Sequence, residues 1–155
     1  MGKNIDWENL GFEYLPTDKR FVANYKDGAW DEGGLIDDAN ITMSECACVL
    51  QYAQTCFEGM KAYTTEDGRV VIFRPHLNAQ RMIDTCKRLE MPVFPEDKFV
   101  EAVAETVKAN IDMVPPYGSG ASLYTRPFMF GCGPVIGVAP ATEYQFRVFT
   151  TPVES

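Results

Sequence analysis

The sequence predicts an α+β domain built on a mainly antiparallel sheet. Three observations carry that reading. Short apolar-alternating stretches come in pairs around turn dipeptides. Two stretches in mid-chain have helical spacing. Two long strand-like runs close the chain, with no helix between them to make them parallel.

In chain order, "RFVANYKDGAWDEGGLI" reads as two short strands around Asp27-Gly28. "SECACVLQYAQTCFEG" reads as a helical or turn-like piece, with Ser44 as its N-cap and Gly59 as its end. "MKAYTTEDGRVVIF" is a second strand pair, turning near Asp67-Gly68. "RPHLNAQRMIDTCKRLEM" puts Leu77, Met82, Ile83, Cys86 and Leu89 near one helix face and starts at Pro75. "PEDKFVEAVAETVKANIDMV" spaces Phe99, Val100, Val103, Val107 and Ile111 as a second helix. Its acidic first turn suits the helix dipole, and "VPPYGSG" ends it. "ASLYTRPFMFG" and "EYQFRVFTTPV" are the closing strands. Pro127 places the first of these at an edge or a bulge, because proline has no N–H to give the ladder.

The bulk numbers bound the function. A chain of 155 residues supports one domain, with a core that needs no staples. A net charge of −8 argues against general nucleic-acid or anionic-membrane binding. No stretch is apolar for the roughly 20 residues that span a bilayer. Five cysteines, an odd number with no apolar leader before them, read as reduced thiols in a cytoplasm. "CAC" at Cys46 to Cys48 lacks an answering cysteine or histidine pair, so no metal site is expected. The single histidine, His76, reads as a helix-surface residue. The carboxylates are scattered and nominate no acid–base pair.

Two arginines stand out. In "SLYTRPFMF" the alternation puts Arg126 on one face with Tyr124, Phe128 and Phe130. On a buried face that guanidinium needs an anion, either a carboxylate of the chain or a ligand. Arg81, in "NAQRM", is a solvated helix residue or a fork for phosphate or carboxylate.

The words "LQYAQTCFEGMKAY", "VIFRPHLNAQRM", "RLEMPVF", "VPPYGSGASLYTRPFMFG" and "GVAPATEYQFRVFTTPV" run in order from about Leu50 to Val153. Together they resemble the N-terminal small domain of the branched-chain amino-acid aminotransferases, in the fold-type-IV (class IV) group of pyridoxal-phosphate enzymes. The resemblance implies that Arg81 grips the cofactor's phosphate. It implies that Tyr52, Phe57, Tyr124 and Arg126 line the substrate pocket, and that Val138 approaches it. It implies a homodimer or larger assembly, in which Tyr52 and Val138 reach the neighbouring subunit's site. The substrates implied are a small amino acid and a 2-oxo acid: leucine, isoleucine or valine with 2-oxoglutarate. Arg126 would pair the side-chain carboxylate of glutamate and lean on aromatic rings when a branched chain arrives.

The resemblance also implies that the catalytic lysine lies beyond Ser155, in a larger domain. None of Lys3, Lys19, Lys26, Lys61, Lys87, Lys98 or Lys108 has the matching context. Residues 1–150 are then the small domain and 151–155 the start of an interdomain linker. The chain by itself is expected to be inactive, with weak pyridoxal phosphate binding at most. Gln51 stands where many relatives have histidine. Two other readings accompany this one. One is a stand-alone non-catalytic binding domain; the other is a D-amino-acid aminotransferase or 4-amino-4-deoxychorismate lyase on the same fold.

Overall fold

The computed structural model describes residues 4–154. Its strands are β1 (Arg20–Lys26), β2 (Ala29–Trp30), β3 (Gly34–Ile36), β4 (Thr55–Phe57), β5 (Met60–Thr64), β6 (Val70–Ile72), β7 (Ala121–Gly131) and β8 (Tyr144–Glu154). They form one sheet in the order β2-β1-β8-β7-β5-β6, with β3 also on β1 and β4 also on β7. All pairings between them are antiparallel. The helices are α1 (Cys48–Tyr52), α2 (Pro75–Arg88) and α3 (Glu96–Ala109). The fold is α+β, as the sequence predicts.

The two paired strand predictions hold, with a break in the first. Asp27 and Gly28 both take positive φ, at 53° and 82°, which suits a two-residue hairpin turn. After β2 the chain leaves the ladder at Asp31, whose carboxylate accepts from the N–H groups of Asn24 and Gly33. Gly33 sits at φ 68°, and a Cβ there would come within 2.9 Å of the Val22 carbonyl oxygen.

The long helices bury one stripe each. In α2 the buried residues are Ala79, Met82 and Cys86. Leu77 and Leu89, expected on that stripe, are exposed. In α3 Phe99, Val103 and Val107 are buried as predicted. Ile111 lies past the helix end in a 3-10 turn and is exposed. The buried Asn110 accepts from the Lys19 N–H (2.9 Å) and donates to the Lys19 and Thr106 carbonyls (2.8 Å each), tying α3 to the segment before β1.

The piece around "CACVLQY" is where expectation and structure part most. The helix is five residues long, and Ala53 ends it in the left-handed conformation. Ser44 does not cap it: the residue before α1 is Ala47, and the Ser44 hydroxyl accepts from the Cys46 N–H instead. Gly59 does not end it, because β4 intervenes.

Pro127 is neither at an edge nor in a bulge. β7 lies between β8 and β4–β5. The pairs Phe57↔Phe128 and Met60↔Thr125 share one register, so no residue is inserted. The Glu58 N–H donates to the Pro127 carbonyl (2.9 Å), and proline cannot return the bond. That one lost bond divides β4 from β5. At the other end, β8 continues to Glu154, so residues 151–154, read as the start of a linker, pair with 121–124 as strand. Ser155 and Lys3 lie outside the described residues.

The core lies between the helices and one face of the sheet. Phe146 is fully buried at its centre, stacked on Phe94 at 4.0 Å between ring centroids and edge-on to Phe21 and Phe99. We expect Phe146→Ala to lower unfolding free energy by about 3–5 kcal/mol, the range for truncating a core aromatic. Urea unfolding followed by far-UV circular dichroism would measure it, and a loss under ~1 kcal/mol would contradict this packing.

Candidate functional site

The β7–β8 ladder decides which side chains face the core. Leu123, Thr125, Pro127 and Met129 pair with Pro152, Thr150, Val148 and Phe146 on the helix side. Tyr124, Arg126 and Phe128 pair with Thr151, Phe149 and Arg147 on the other side. The face of Arg126 is therefore not the buried one expected from its aromatic neighbours. Tyr124, Arg126 and Phe128 are half-buried and line an open cavity of about 420 Å³.

Arg126 meets no carboxylate among the described residues. It lies over the Phe57 ring at 4.5 Å and the Tyr124 ring at 5.2 Å. Its Nε and Nη2 donate to the Tyr124 hydroxyl at 3.2 and 3.1 Å. Gly59 makes that arrangement possible, since a Cβ there would come within 2.5 Å of the Tyr124 hydroxyl.

Arg81 is settled differently. Alternation along β4–β5 sends Glu58 to the helix side, where it is buried. Its Oε1 accepts from Arg81 Nη2 (2.6 Å), Arg81 Nε (2.8 Å) and Asn78 Nδ2 (3.0 Å). The Glu58 carboxylate raises the Arg81 guanidinium above its usual pKa. The Arg81 side chain is still 67% exposed, so its outward edge faces solvent. This is neither a free solvated arginine nor a buried one, but an oriented fork. Glu58 escaped the sequence reading because nothing in "CFEGM" says which helix residue it will meet.

Phe57, Tyr124 and Arg126 thus come together, Phe57 against Arg126 but not lining the cavity, while Glu58 holds Arg81 on the opposite face of the sheet. Tyr52 and Val138 are elsewhere and do not line the cavity. The Tyr52 hydroxyl donates to the Ile136 carbonyl (2.7 Å), bracing the loop whose Ile136 and Val138 are 83% and 88% exposed. Gln51 donates to the Glu45 carbonyl and stays with its own segment. His76 is exposed in the first turn of α2. The described residues contain no group of three or more histidine, cysteine or acidic side chains that could hold a metal. No helix among them is long and apolar enough to cross a membrane.

The chain is 53% identical over 151 residues to the branched-chain-amino-acid aminotransferase of Haemophilus influenzae, and 50% identical to that of Helicobacter pylori. Each match covers 97% of this chain and 44% of the relative. In sequence, the chain is a relative of the branched-chain-amino-acid aminotransferases. It spans less than half the length of these relatives. An Arabidopsis thaliana relative, 42% identical, is named a methionine aminotransferase. No family model matches the chain. The fold is shared with a branched-chain aminotransferase from Thermoproteus uzoniensis, with a TM-score of 0.68 at 22% identity over 88% of this chain and 41% of that one. It is shared too with that of Thermobaculum terrenum in its PLP form, with a TM-score of 0.66 at 16% identity over 90% of this chain and 41% of that one. These relatives favour the branched-chain reading over the lyase and D-amino-acid readings.

The Glu58–Arg81 pair makes a prediction of its own. Arg81→Met strands a buried carboxylate, whereas the same change beside Glu58→Gln does not. We expect Arg81→Met to lower the melting temperature clearly in the parent chain and little in the Glu58→Gln background. Equal shifts in both backgrounds would mean the pair is not coupled.

Proposed function

We propose that this chain is the small domain, residues 1–150, of a pyridoxal-phosphate-dependent branched-chain-amino-acid aminotransferase. The observation that carries the reading is Arg126, which meets no carboxylate among the described residues and lies against Phe57 and Tyr124. Such a residue suits a pocket that must accept an apolar side chain in one half-reaction and a carboxylate in the other. Against a branched chain, the two rings supply apolar surface while the guanidinium rests on their faces. Against glutamate, the guanidinium turns its donors to the carboxylate.

Arg81 fits a phosphate group in donor chemistry and exposure. Two of its nitrogens are anchored to Glu58, and the rest of the fork is free to donate. Pyridoxal phosphate, when bound, supplies the electron sink for breaking the bond to the substrate's Cα hydrogen and carries the amino group between half-reactions. The chain's own part is to grip phosphate and to select the side chain. Proton transfer falls to a lysine outside residues 1–155. Lys61 pairs with Tyr124 across β5 and β7.

We propose a homodimer, with the Tyr52-braced loop bringing Val138 to the neighbouring subunit. Exposed apolar tips at Ile136 and Val138 support this. Free cysteines suit a reducing cytoplasm.

The decisive test is kinetic, in the complete protein that contains this chain. Arg126→Met should cut kcat/KM for 2-oxoglutarate about 10- to 100-fold, the value of a charged hydrogen bond of ~1.5–3 kcal/mol. The loss with leucine should stay within about threefold, the effect of a substitution that keeps the apolar wall. Equal losses would remove Arg126 from carboxylate selection. Residues 1–155 alone should show no leucine-to-2-oxoglutarate transamination, and measurable turnover by them would refute the division of labour.

A further inference from the structure

Two of the five cysteines meet in the core. Register places Cys56 of β4 opposite Met129 of β7, on the face that the helices cover. Cys86 comes down onto the same spot from the last turn of α2. The Cys56 and Cys86 sulfurs lie 3.9 Å apart, and the Met129 sulfur is 3.9 Å from that of Cys86. Other thiols meet oxygen instead: Cys46 the Ser44 hydroxyl and Cys48 the Ala139 carbonyl. None of these sulfurs enters the aminotransferase reading.

Two thiols in contact have two chemical uses. As small apolar groups they fill space. As nucleophiles they close to a disulfide, whose sulfurs are about 2.05 Å apart, so closure here needs an approach of about 2 Å. β4 is fixed by its ladder to β7 at Thr55, Cys56 and Phe57, so the movement falls to the last turn of α2. That turn leads into exposed chain, from Lys87 to Glu90. The two thiols are also unequal. Cys56 keeps 8% exposure and Cys86 has none. A hydrogen bond from Cys86 lowers the Cys56 pKa below the ordinary thiol value and raises that of Cys86. Cys56 is therefore the better nucleophile of the pair and the one a small solute can reach.

We propose that Cys56 and Cys86 form an oxidation site for a small peroxide, closing reversibly to a disulfide that clamps α2 to β4. The Cys56 sulfur attacks one peroxide oxygen and the O–O bond breaks. Hydroxide leaves, takes the Cys56 proton as the first water, and Cys56 carries a sulfenic acid. The Cys86 sulfur then attacks the Cys56 sulfur and the S–O bond breaks. The second hydroxide leaves with the Cys86 proton as water. Two thiols are oxidised by two electrons in all, and the peroxide is reduced to two waters. A dithiol reverses the bond by exchange. The clamp joins the helix that bears Arg81 to the strand that leads into Glu58, its partner. The proposal stands on the thiol geometry and not on transamination, so either can fail alone.

The test treats the complete, folded protein that contains this chain with hydrogen peroxide. Remaining thiols are then blocked with N-ethylmaleimide in denaturant, and the cysteines are mapped by peptide mass and fragmentation. The expected product is a peptide pair joined through Cys56 and Cys86, lighter by two hydrogens than the separate peptides. Dithiothreitol should return both thiols to a form that blocks. Cys48, whose sulfur meets a carbonyl, should remain free to block throughout. Cys56→Ser should abolish the link and slow loss of the Cys86 thiol at least about tenfold, since the buried Cys86 reacts only through its neighbour. Should that variant fail to fold, the link mapped in the parent protein still decides. Cys56 and Cys86 both left free at a peroxide dose that oxidises the half-exposed Cys46 and Cys132 would overturn the proposal and leave the pair a packing contact. Links from either to a different cysteine, or equal loss of Cys86 in Cys56→Ser, would also overturn it.

Discussion

The long ladder between Ala121–Gly131 and Tyr144–Glu154 is the constraint on which the rest depends. It assigns every side chain of both strands to a face. Phe146, Val148 and Met129 go under the helices, and Arg147, Phe149, Phe128 and Arg126 go to the cavity. A slip of β8 by one residue would exchange these sets. Phe146 would leave its stack with Phe94, and Arg147 would enter an apolar core with no partner. Register is thus held twice, by apolar burial on one side and by the penalty for misplacing a charge on the other.

Pro127 adds a local consequence. Its missing N–H releases Glu58 and Gly59 from regular pairing without changing register. The segment stays in line, so Phe57 meets Arg126 on one face while Glu58 meets α2 on the other. The two arginines of interest consequently lie on opposite faces of the sheet, one residue apart in what holds them. Arg126 is held by Phe57, and Arg81 by Glu58. A ligand that meets both has to pass the sheet margin at Phe57–Gly59. Gly59 there has no side chain, which lets the Tyr124 hydroxyl reach Arg126.

Much of this was legible in the residues, for physical reasons that differ by element. The hairpins were readable because Asp27-Gly28 and Asp67-Gly68 specify their own turns. The helices were readable from apolar spacing. Face assignments within α2 were less so. Leu77 sits in its first turn, and Leu89 is already the C-cap, so neither reaches the buried stripe. The five-residue α1 was misread because its ends are set by Ala53's left-handed turn and by contacts far along the chain, such as Tyr52 with Ile136. The face of Arg126 was misjudged because alternation separates two faces without saying which one helices will cover. Arg147 carries a weaker form of that signal, with Gln145 and Phe149 as its neighbours on the same face. Its importance depends on the neighbouring strands, which no single stretch contains.

The three arginines also differ in how much charge they can offer. Arg81 already faces a carboxylate, so its outward edge contributes hydrogen bonds with little net charge. Arg126 and Arg147 form no ion pair among the described residues, in surroundings where water screens charge less. A dianionic phosphate at Arg81 accordingly needs further donors from outside this chain, which matches a domain that supplies one phosphate contact and not a complete phosphate cup. The strongest anion affinity intrinsic to this chain should therefore lie on the open face of the sheet, away from the residue most suggestive of a phosphate site.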